Sequence, residues 1–532
     1  MIKCLHKAVF VLFTVTMGAI VLLILLGFDR MDFQNKRTFL LPQSVMMLFG
    51  VLMAGLLAWG AWHASSKLHS LKAGRRLRTW MPWALFFAAL FVVQATLCYF
   101  SYFLTGWDAG MILDQAYWMG VCNAEEVNNY YYSFHPNNVL ITLLFSGIFR
   151  AFAWITHSEP SLARCVYVLI LVQCVLNTLT GMLCCRTAWR LTGSTKFARA
   201  VAVFYTGLVG LSPWLMIPYT DSMALIFPSA ILCLLAEVTA PDYEGSPLAG
   251  YVGIGLLTGL GYLIKPQTVI VSIAIVLTMF LRMLCMRQFR RMLLIRLVGL
   301  GLAFVAMAGP FQRAMVALSP FELDPELNIG MLHFAMMGLC EKTNGGYCME
   351  DEQISVSVPT AKERADVQKK VIKERLSAYG VTGLAAHLAK KMLTNYADGT
   401  FAWGIEGQFF REAVADKDNV ISPFLKRQVV TDDPAHVPVL ETYFQILWLG
   451  LLACSLLCGF TWCACAQWGQ RLDLLLIVQL SIIGLTLFEL IFEARARYLF
   501  AYAPFYVLAG LSGAWYTLEA LAAKRRGMQE AR

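Results

Sequence analysis

Apolar runs long enough to cross a lipid bilayer recur along nearly the whole of this chain, and few folds can house them. Inside hydrocarbon every backbone N–H and C=O must be satisfied internally, so such a run is either a helix or a strand of a closed barrel. The runs here are continuous, without the apolar–polar alternation of barrel strands. The fold class they dictate is an all-α polytopic membrane protein. Composition agrees, since 58% of the 532 residues are hydrophobic and only 14% are charged.

Hydropathy predicts about twelve spans: Val9 to Gly27, Leu41 to His63, Met81 to Leu104, Leu162 to Thr187, Ala198 to Ile217, Ser222 to Ala240, Leu248 to Ile264, Thr268 to Met286, Leu293 to Phe311, Val437 to Phe460, Leu472 to Phe492 and Tyr498 to Thr517. They divide the chain into N-terminal transmembrane helices (1–104), a first extracytoplasmic loop with an interfacial helix (105–161), a central transmembrane core (162–311), an extracytoplasmic domain (312–436) and C-terminal transmembrane helices with a basic tail (437–532). The first run, Ala8 to Leu26 after Lys3 and Lys7, has no small-residue cleavage pattern before Asp29 and reads as a retained anchor.

A formal charge of +9 in a soluble chain would point to nucleic acid. Here the basic residues cluster in short loops between spans, at 67–78, 186–199, 282–296 and 524–526. They therefore set orientation, with those loops and both termini cytoplasmic and no nucleic-acid partner expected. This assignment requires that one further apolar segment, Val139 to Thr156, does not cross. Arg150 interrupts it and His135-Pro136-Asn137-Asn138 turns the chain before it, so it is expected to lie along the outer surface.

Most of the 15 cysteines, among them Cys174, Cys184, Cys185, Cys454 and Cys458, fall inside apolar runs and behave as small hydrophobes. Cys463 and Cys465 are too close together for a zinc site and lack a second pair. Cys340 and Cys348, in the outer domain, are the two that can pair or stay free. No repeat and no Walker-type phosphate loop is present, so ATP coupling is not indicated.

Given that topology, ionisable residues converge on the outer face. The stretch TGWDAGMILDQAYWMG from Thr105 sets Asp108 and Asp114 beside Trp107, Tyr117 and Trp118. Carboxylates among aromatic faces suit proton acceptance from a hydroxyl and cover for the CH faces of a sugar, although interfacial belts also collect Trp and Tyr. Pro218-Tyr-Thr-Asp221 places a second acid at the next outer turn, where it either shares the cavity or merely caps a helix. Lys265, before Pro266, sits at a span end. In FEARARYLF, Arg495 and Arg497 can clamp a phosphate, with Glu493 holding one of them, or simply snorkel. In the outer domain, Thr360-Ala-Lys-Glu363 is a capping box that opens a helix to about Tyr379. A second helix runs from Thr382 to Tyr396, and a glycine-punctuated loop follows, DGTFAWGIEGQFF, bearing Trp403 and Glu406. That loop either binds a glycan or rests on the membrane.

The order of a Trp-Asp loop, a His-Pro turn opening a short helix, a Thr-Asp at the next outer turn and a Lys at a later span end resembles the GT-C glycosyltransferases of the protein O-mannosyltransferase and lipid A aminoarabinose transferase type. GGY at Gly345 to Tyr347, DGTFAWGIEGQFF and FEARARYLFAYAP are also similar to multi-pass envelope glycosyltransferases of Gram-positive bacteria. The resemblance spans roughly Trp107 to Pro504 and implies a GT-C-like helical bundle acting on a polyprenyl-phosphate sugar outside the membrane. Residue by residue it implies Asp108 as the first-loop acid, Asp221 as the second and Lys265 on the phosphate side. Ala109 stands where the family often has an adjacent acid, and His135 where some members have lysine. The base therefore stays open between Asp108 and Asp114.

The expected activity is inverting transfer of one sugar to a hydroxyl of a cell-envelope glycan or lipid-linked acceptor. Asp108, Asp221 and Asp114 are the catalytic candidates, Lys265, Arg495 and Arg497 would hold the donor phosphate, and Trp107, His135, Trp403 and Glu406 would meet acceptor or sugar. No cofactor and no metal is expected, because fixed cations can offset a monophosphate's charge. Unchanged turnover in chelator is the corresponding measurement, and restoration by a divalent ion would contradict it. The alternatives are a polymerase or ligase of diphosphate-linked oligosaccharides and a non-enzymatic lipid-sugar transporter.

Overall fold

The protein is described from a computed structural model over residues 2–66, 81–123, 126–239, 245–285, 290–414, 420–460 and 469–530. The basic loop at 67–78 and the Cys463–Cys465 pair lie outside the described residues. Helices α1 Ile2–Gly27, α2 Gln43–Ser66 and α3 Met81–Ser101 lead to strand β1 Phe103–Leu104 and helices α4 Trp107–Gly120, α5 Asn129–Phe134 and α6 Val139–Thr156. The core continues with α7 Leu162–Thr192, α8 Thr195–Tyr205, α9 Thr220–Ala224, α10 Ile226–Val238, α11 Leu248–Ile264, α12 Val269–Cys285 and α13 Arg290–Ala306. Short helices α14 Gln312–Ala317, α15 Gly330–Met337 and α16 Met349–Val356 precede α17 Ala361–Tyr396, strand β2 Glu412–Ala413 and α18 Ile421–Val429. The chain ends with α19 Val439–Phe460, α20 Gly469–Ile491 and α21 Ala503–Glu530.

The molecule is thus an all-α polytopic membrane protein, with 10 helices among the described residues long and apolar enough to span a bilayer. Nine coincide with predicted spans, and the tenth is Pro136–Thr156, which has the length and apolarity to cross although a surface position was expected for it. It buries Val139, Thr142, Phe145 and Phe149 against α4 and leaves Trp154 and Ile155 exposed. Two predicted spans are partly irregular, whereas α11 has the predicted bounds. After α8 the chain unwinds through a π turn and a 3-10 turn at Pro213–Met216, and Ala496–Tyr502 is a 3-10 turn ahead of α21. Each irregularity sits where polar groups gather, as expected where backbone inside a membrane protein lines a polar site rather than lipid.

Close packing of α19 against α2 depends on glycines. A Cβ on Gly50 would lie 2.0 Å from the Ile446 carbonyl oxygen, and one on Gly450 would lie 2.3 Å from the Gly50 carbonyl carbon, so the two backbones touch directly. The segment expected as the extracytoplasmic domain, 312–436, packs through α17 and α18 on α1, α3, α19 and α20. Thr360 Oγ1 accepts from the Glu363 N–H at 3.3 Å, so the predicted N-cap forms, and its hydroxyl donates to the Glu363 carboxylate at 2.9 Å in place of the reciprocal backbone bond of a full capping box. Gly380, at φ 56°, breaks α17 in two at the predicted stop.

A buried arginine that sequence patterns did not reveal organises this domain. Arg364 donates to the carbonyls of Ser355, Glu326 and Val358, each at 2.6 Å, and is 1% exposed. Methionine would fill the space while leaving those carbonyls unsatisfied. Arg364→Met is expected to destabilise the domain by roughly 3 kcal/mol, because hydrogen bonds to a charged donor are the stronger kind. Amide exchange across α17 is the readout, and native-like protection would contradict this account.

Candidate functional site

The irregular turns meet at the domain end of the bundle and bring their ionisable residues together. Asp221 lies in the first turn of α9, completely buried, and makes no cap; Tyr219 occupies the cap position and lacks a capping side-chain bond. The capping alternative therefore fails. Its Oδ1 instead accepts from Lys265 Nζ, at the end of α11. Asp221 Oδ2 faces Arg497 Nε at 3.8 Å. Glu406 then bridges the two arginines, with Oε1 3.5 Å from Arg497 Nη1 and Oε2 3.3 Å from Arg495 Nη1. Glu493 holds Arg495 at 3.2 Å and accepts from the Tyr498 hydroxyl at 2.9 Å. The expected Glu493–Arg495 pair is thus present.

Three carboxylates and three cations are interleaved here, all 7% exposed or less among Asp221, Lys265, Glu493, Arg495 and Arg497. Snorkelling places the charged head in water, so it does not describe these arginines. Burying so many charges costs several kcal/mol per ion before pairing, and such clusters in membrane proteins mark functional sites. Several atoms are also under-coordinated. Asp221 Oδ2, Glu406 Oε1 and Arg497 Nε and Nη1 make only long ion pairs, of 3.5–3.8 Å, and have no hydrogen-bond partner among the described residues.

Aromatic rings wall the cluster. Arg497 lies 4.6 Å from the Trp107 ring and 5.8 Å from Tyr219, and Lys265 lies 4.5 Å over Tyr498. Trp107 has φ 45°, a left-handed conformation that costs a bulky residue roughly 1–2 kcal/mol. Its indole is fixed by a 2.8 Å bond to Thr105 and by the two-residue ribbon in which Phe103 pairs with Ala413 and Leu104 with Glu412. That ribbon also ties the Glu406 loop to the Trp107 segment, reinforced by Gly106 N–H donating to the Gln408 carbonyl at 2.8 Å.

Asp108, the next residue, accepts from the Tyr131 hydroxyl at 2.9 Å. Asn138 donates to that same hydroxyl at 2.9 Å, and His135 packs its ring on Tyr131 at 4.9 Å. Burial first and the Asp108 carboxylate second push the Tyr131 phenol far above its ordinary value, so it remains a donor. Tyr219 links the halves of the site: burial, then Asp108, raises its phenol, while Arg497 opposes and Asp221 adds to the rise. The Tyr219 ring lies 4.8 Å from that of Trp107, the neighbour of Asp108, and 5.8 Å from Arg497, which faces Asp221.

The structure separates the two first-loop acids. Asp114 forms a bidentate pair with Arg411, at 2.6 and 3.1 Å, on a partly exposed rim, and takes no part in the cluster. Trp403, expected to meet acceptor or sugar, is 1% exposed instead. It packs on Trp214, Phe103 and Phe409 and donates its indole N–H to Val429. Positive φ at Phe401, Ala402 and Gly404 folds the loop inward, which the glycine spacing alone did not distinguish from a surface loop.

Sequence reading missed Glu489, Lys391, Tyr131 and Tyr219. Glu489 is fully buried near the end of α20, where Lys391, Lys265 and the Arg495 backbone N–H are the groups that favour its charge. Lys391 donates to the Gly338, Leu490 and Phe492 carbonyls at 2.8, 2.9 and 2.7 Å, and burial pushes its ammonium down to about 8 against the pull of Glu489 and Glu493. A lone acid inside an apolar run was the signal available for Glu489.

Fold and site together define a polytopic integral membrane protein with a closed ionic cluster at one end of its bundle. A family model described as a conserved hypothetical integral membrane protein matches residues 1–514, and the chain belongs to that family. No curated protein and no solved structure matches it.

Proposed function

We propose that this protein is a GT-C-type glycosyltransferase that moves a sugar from a polyprenyl-phosphate carrier to a hydroxyl of a cell-envelope glycan or lipid-linked acceptor, with inversion, on the extracytoplasmic face. The observation that carries the reading is the Glu406 carboxylate lying between Arg495 and Arg497, an anion held by two guanidiniums at the end of a membrane bundle. The donor's phosphodiester fits the same planar fork, and the polyprenyl phosphate released on transfer, a monoester, is a more highly charged partner still. Lys265, on the far side of Asp221, completes the cationic wall.

In this scheme Asp108 takes the acceptor proton as the hydroxyl oxygen bonds to the anomeric carbon. The bond from that carbon to the phosphate oxygen breaks, and its electron pair leaves on the polyprenyl phosphate. Arg495, Arg497 and Lys265 offset the added negative charge. Asp221 is the helper that fixes Lys265 and Arg497, and Trp107 and His135 border the sugar. Asp114 is left out because Arg411 occupies both its oxygens.

Purified protein in proteoliposomes distinguishes the readings. Turnover with a monophosphate-linked sugar donor is expected; turnover only with a diphosphate-linked oligosaccharide would favour a ligase. Donor movement without acceptor would favour a transporter. Glu406→Gln removes the competing anion and is expected to tighten polyprenyl-phosphate binding by about 5-fold, an effect of the size one exposed-to-buried charge contact supplies. Weaker binding in that variant would mean Glu406 supports the arginines rather than standing in for the ligand.

A further inference from the structure

A second site lies in the turn between α15 and α16. Cys340 and Cys348 place their sulfurs 3.0 Å apart, and with Met337 they form a small buried cluster separate from the main core. The turn they bracket reaches the cation segment directly. Gly345, at φ 82°, accepts on its carbonyl from the Ala494 N–H at 2.7 Å, and Ala494 stands between Glu493 and Arg495. A Cβ on Gly346 would fall 1.5 Å from Gln34 Oε1, so this turn is wedged between the chain after α1 and the FEARAR segment. Gly338, just before it, lies against the Ile491 and Phe492 carbonyls.

We propose that Cys340 and Cys348 form a disulfide that closes this turn and thereby fixes the arginine-bearing segment. The inference rests on the outward placement of the domain, because a thiol pair is oxidised outside the cytosol. Metal binding is the competing use of the same atoms, since Asp351 can join the two sulfurs within 4.8 Å. Both Asp351 oxygens are taken by Arg375, at 2.7 and 2.6 Å, and a guanidinium on the third ligand opposes a cation. Oxidation has no such obstacle. One thiolate attacks an external disulfide, supplied by a thiol oxidant of the exporting compartment, and expels a thiolate. The second cysteine attacks that mixed disulfide and releases the other thiolate, so two protons leave the pair and two electrons pass to the oxidant. Burial pushes the Cys348 thiol up to about 11, which slows this chemistry once the domain has packed. The bond therefore forms during folding and is afterwards shielded from reductant, making it a staple rather than a switch.

Lys342 lies between the cysteines, so trypsin separates them onto two peptides that only the bridge can hold together. Full-length protein in membranes is acid-quenched, alkylated under denaturing conditions, digested and mapped by mass. The expected result is one linked pair, 314–342 with 343–362, that separates and takes label only after reduction. Finding both peptides alkylated without reductant overturns the proposal. Labelling of exposed Lys373 in intact cells by an impermeant amine reagent reports the side of the domain independently. Label at Lys373 with free thiols refutes the bridge alone; no label at Lys373 with free thiols refutes the outward placement with it. A Cys340→Ser/Cys348→Ser chain is expected to lose on the order of 5 °C in Tm, with faster exchange at the Ala494 amide. The mapping on the native chain stands even if that variant does not fold.

Discussion

Asp108→Asn is expected to leave polyprenyl-phosphate binding within about two-fold of the native protein while lowering sugar transfer by roughly 1000-fold, the range lost when a positioned base is removed. The asymmetry follows from where the residue sits. Asp108 makes no ion pair among the described residues, and its partner is the neutral Tyr131 hydroxyl, so the amide keeps the packing and loses only the proton acceptor. In the proposed reading donor affinity belongs to Arg495, Arg497 and Lys265, which Asp108 does not hold. Tyr131→Phe provides the companion test. It removes the Tyr131 hydrogen bond that orients the carboxylate and is expected to lower turnover about 10-fold and shift its pH profile without changing donor affinity. Asp108→Asn with native turnover would leave the cluster a structural feature and remove the proposed base.

The bundle was legible because lipid enforces it. Continuous apolar runs admit only helices, and the N-cap at Thr360 and the stop at Gly380 obey local rules that distant contacts do not override. The site was legible only in part. Asp221, Lys265, Arg495 and Arg497 announced themselves as charges at the ends of apolar spans, where pairing is forced on them. Nothing local could show that Glu406, 89 residues before Arg495 in the sequence, supplies the anion between the arginines, because that contact depends on the ribbon joining Glu412 to Leu104. The same reasoning explains the misplacement of Trp403. Glycines beside aromatics fit a loop pressed into a core as well as one exposed to ligand, and the choice is made by Trp214 and Phe103, more than a hundred residues away. Asp108 and Asp114 are alike as local signals, and only the position of Arg411 separates them.

Lys265→Met carries the largest expected effect on stability and separates architecture from chemistry at this cluster. It strips Asp221 of its hydrogen-bonded partner and leaves a fully buried carboxylate whose other oxygen is 3.8 Å from Arg497. Breaking a buried pair in this way costs about 3 kcal/mol, the lower end of the usual range, because only the longer Arg497 pair still offsets the desolvated charge. Lys265→Met with Asp221→Asn removes both charges together and is expected to restore part of that loss, since no desolvated carboxylate remains and Arg497 keeps its pair with Glu406. If Lys265 serves only to neutralise Asp221, the double variant also regains donor binding. If the ammonium faces a phosphate, as proposed, the refolded double variant still binds polyprenyl phosphate about 10-fold more weakly, the loss that accompanies one charge-assisted contact. A stable double variant with native donor affinity would confine Lys265 to the fold and leave the two arginines as the whole of the phosphate site.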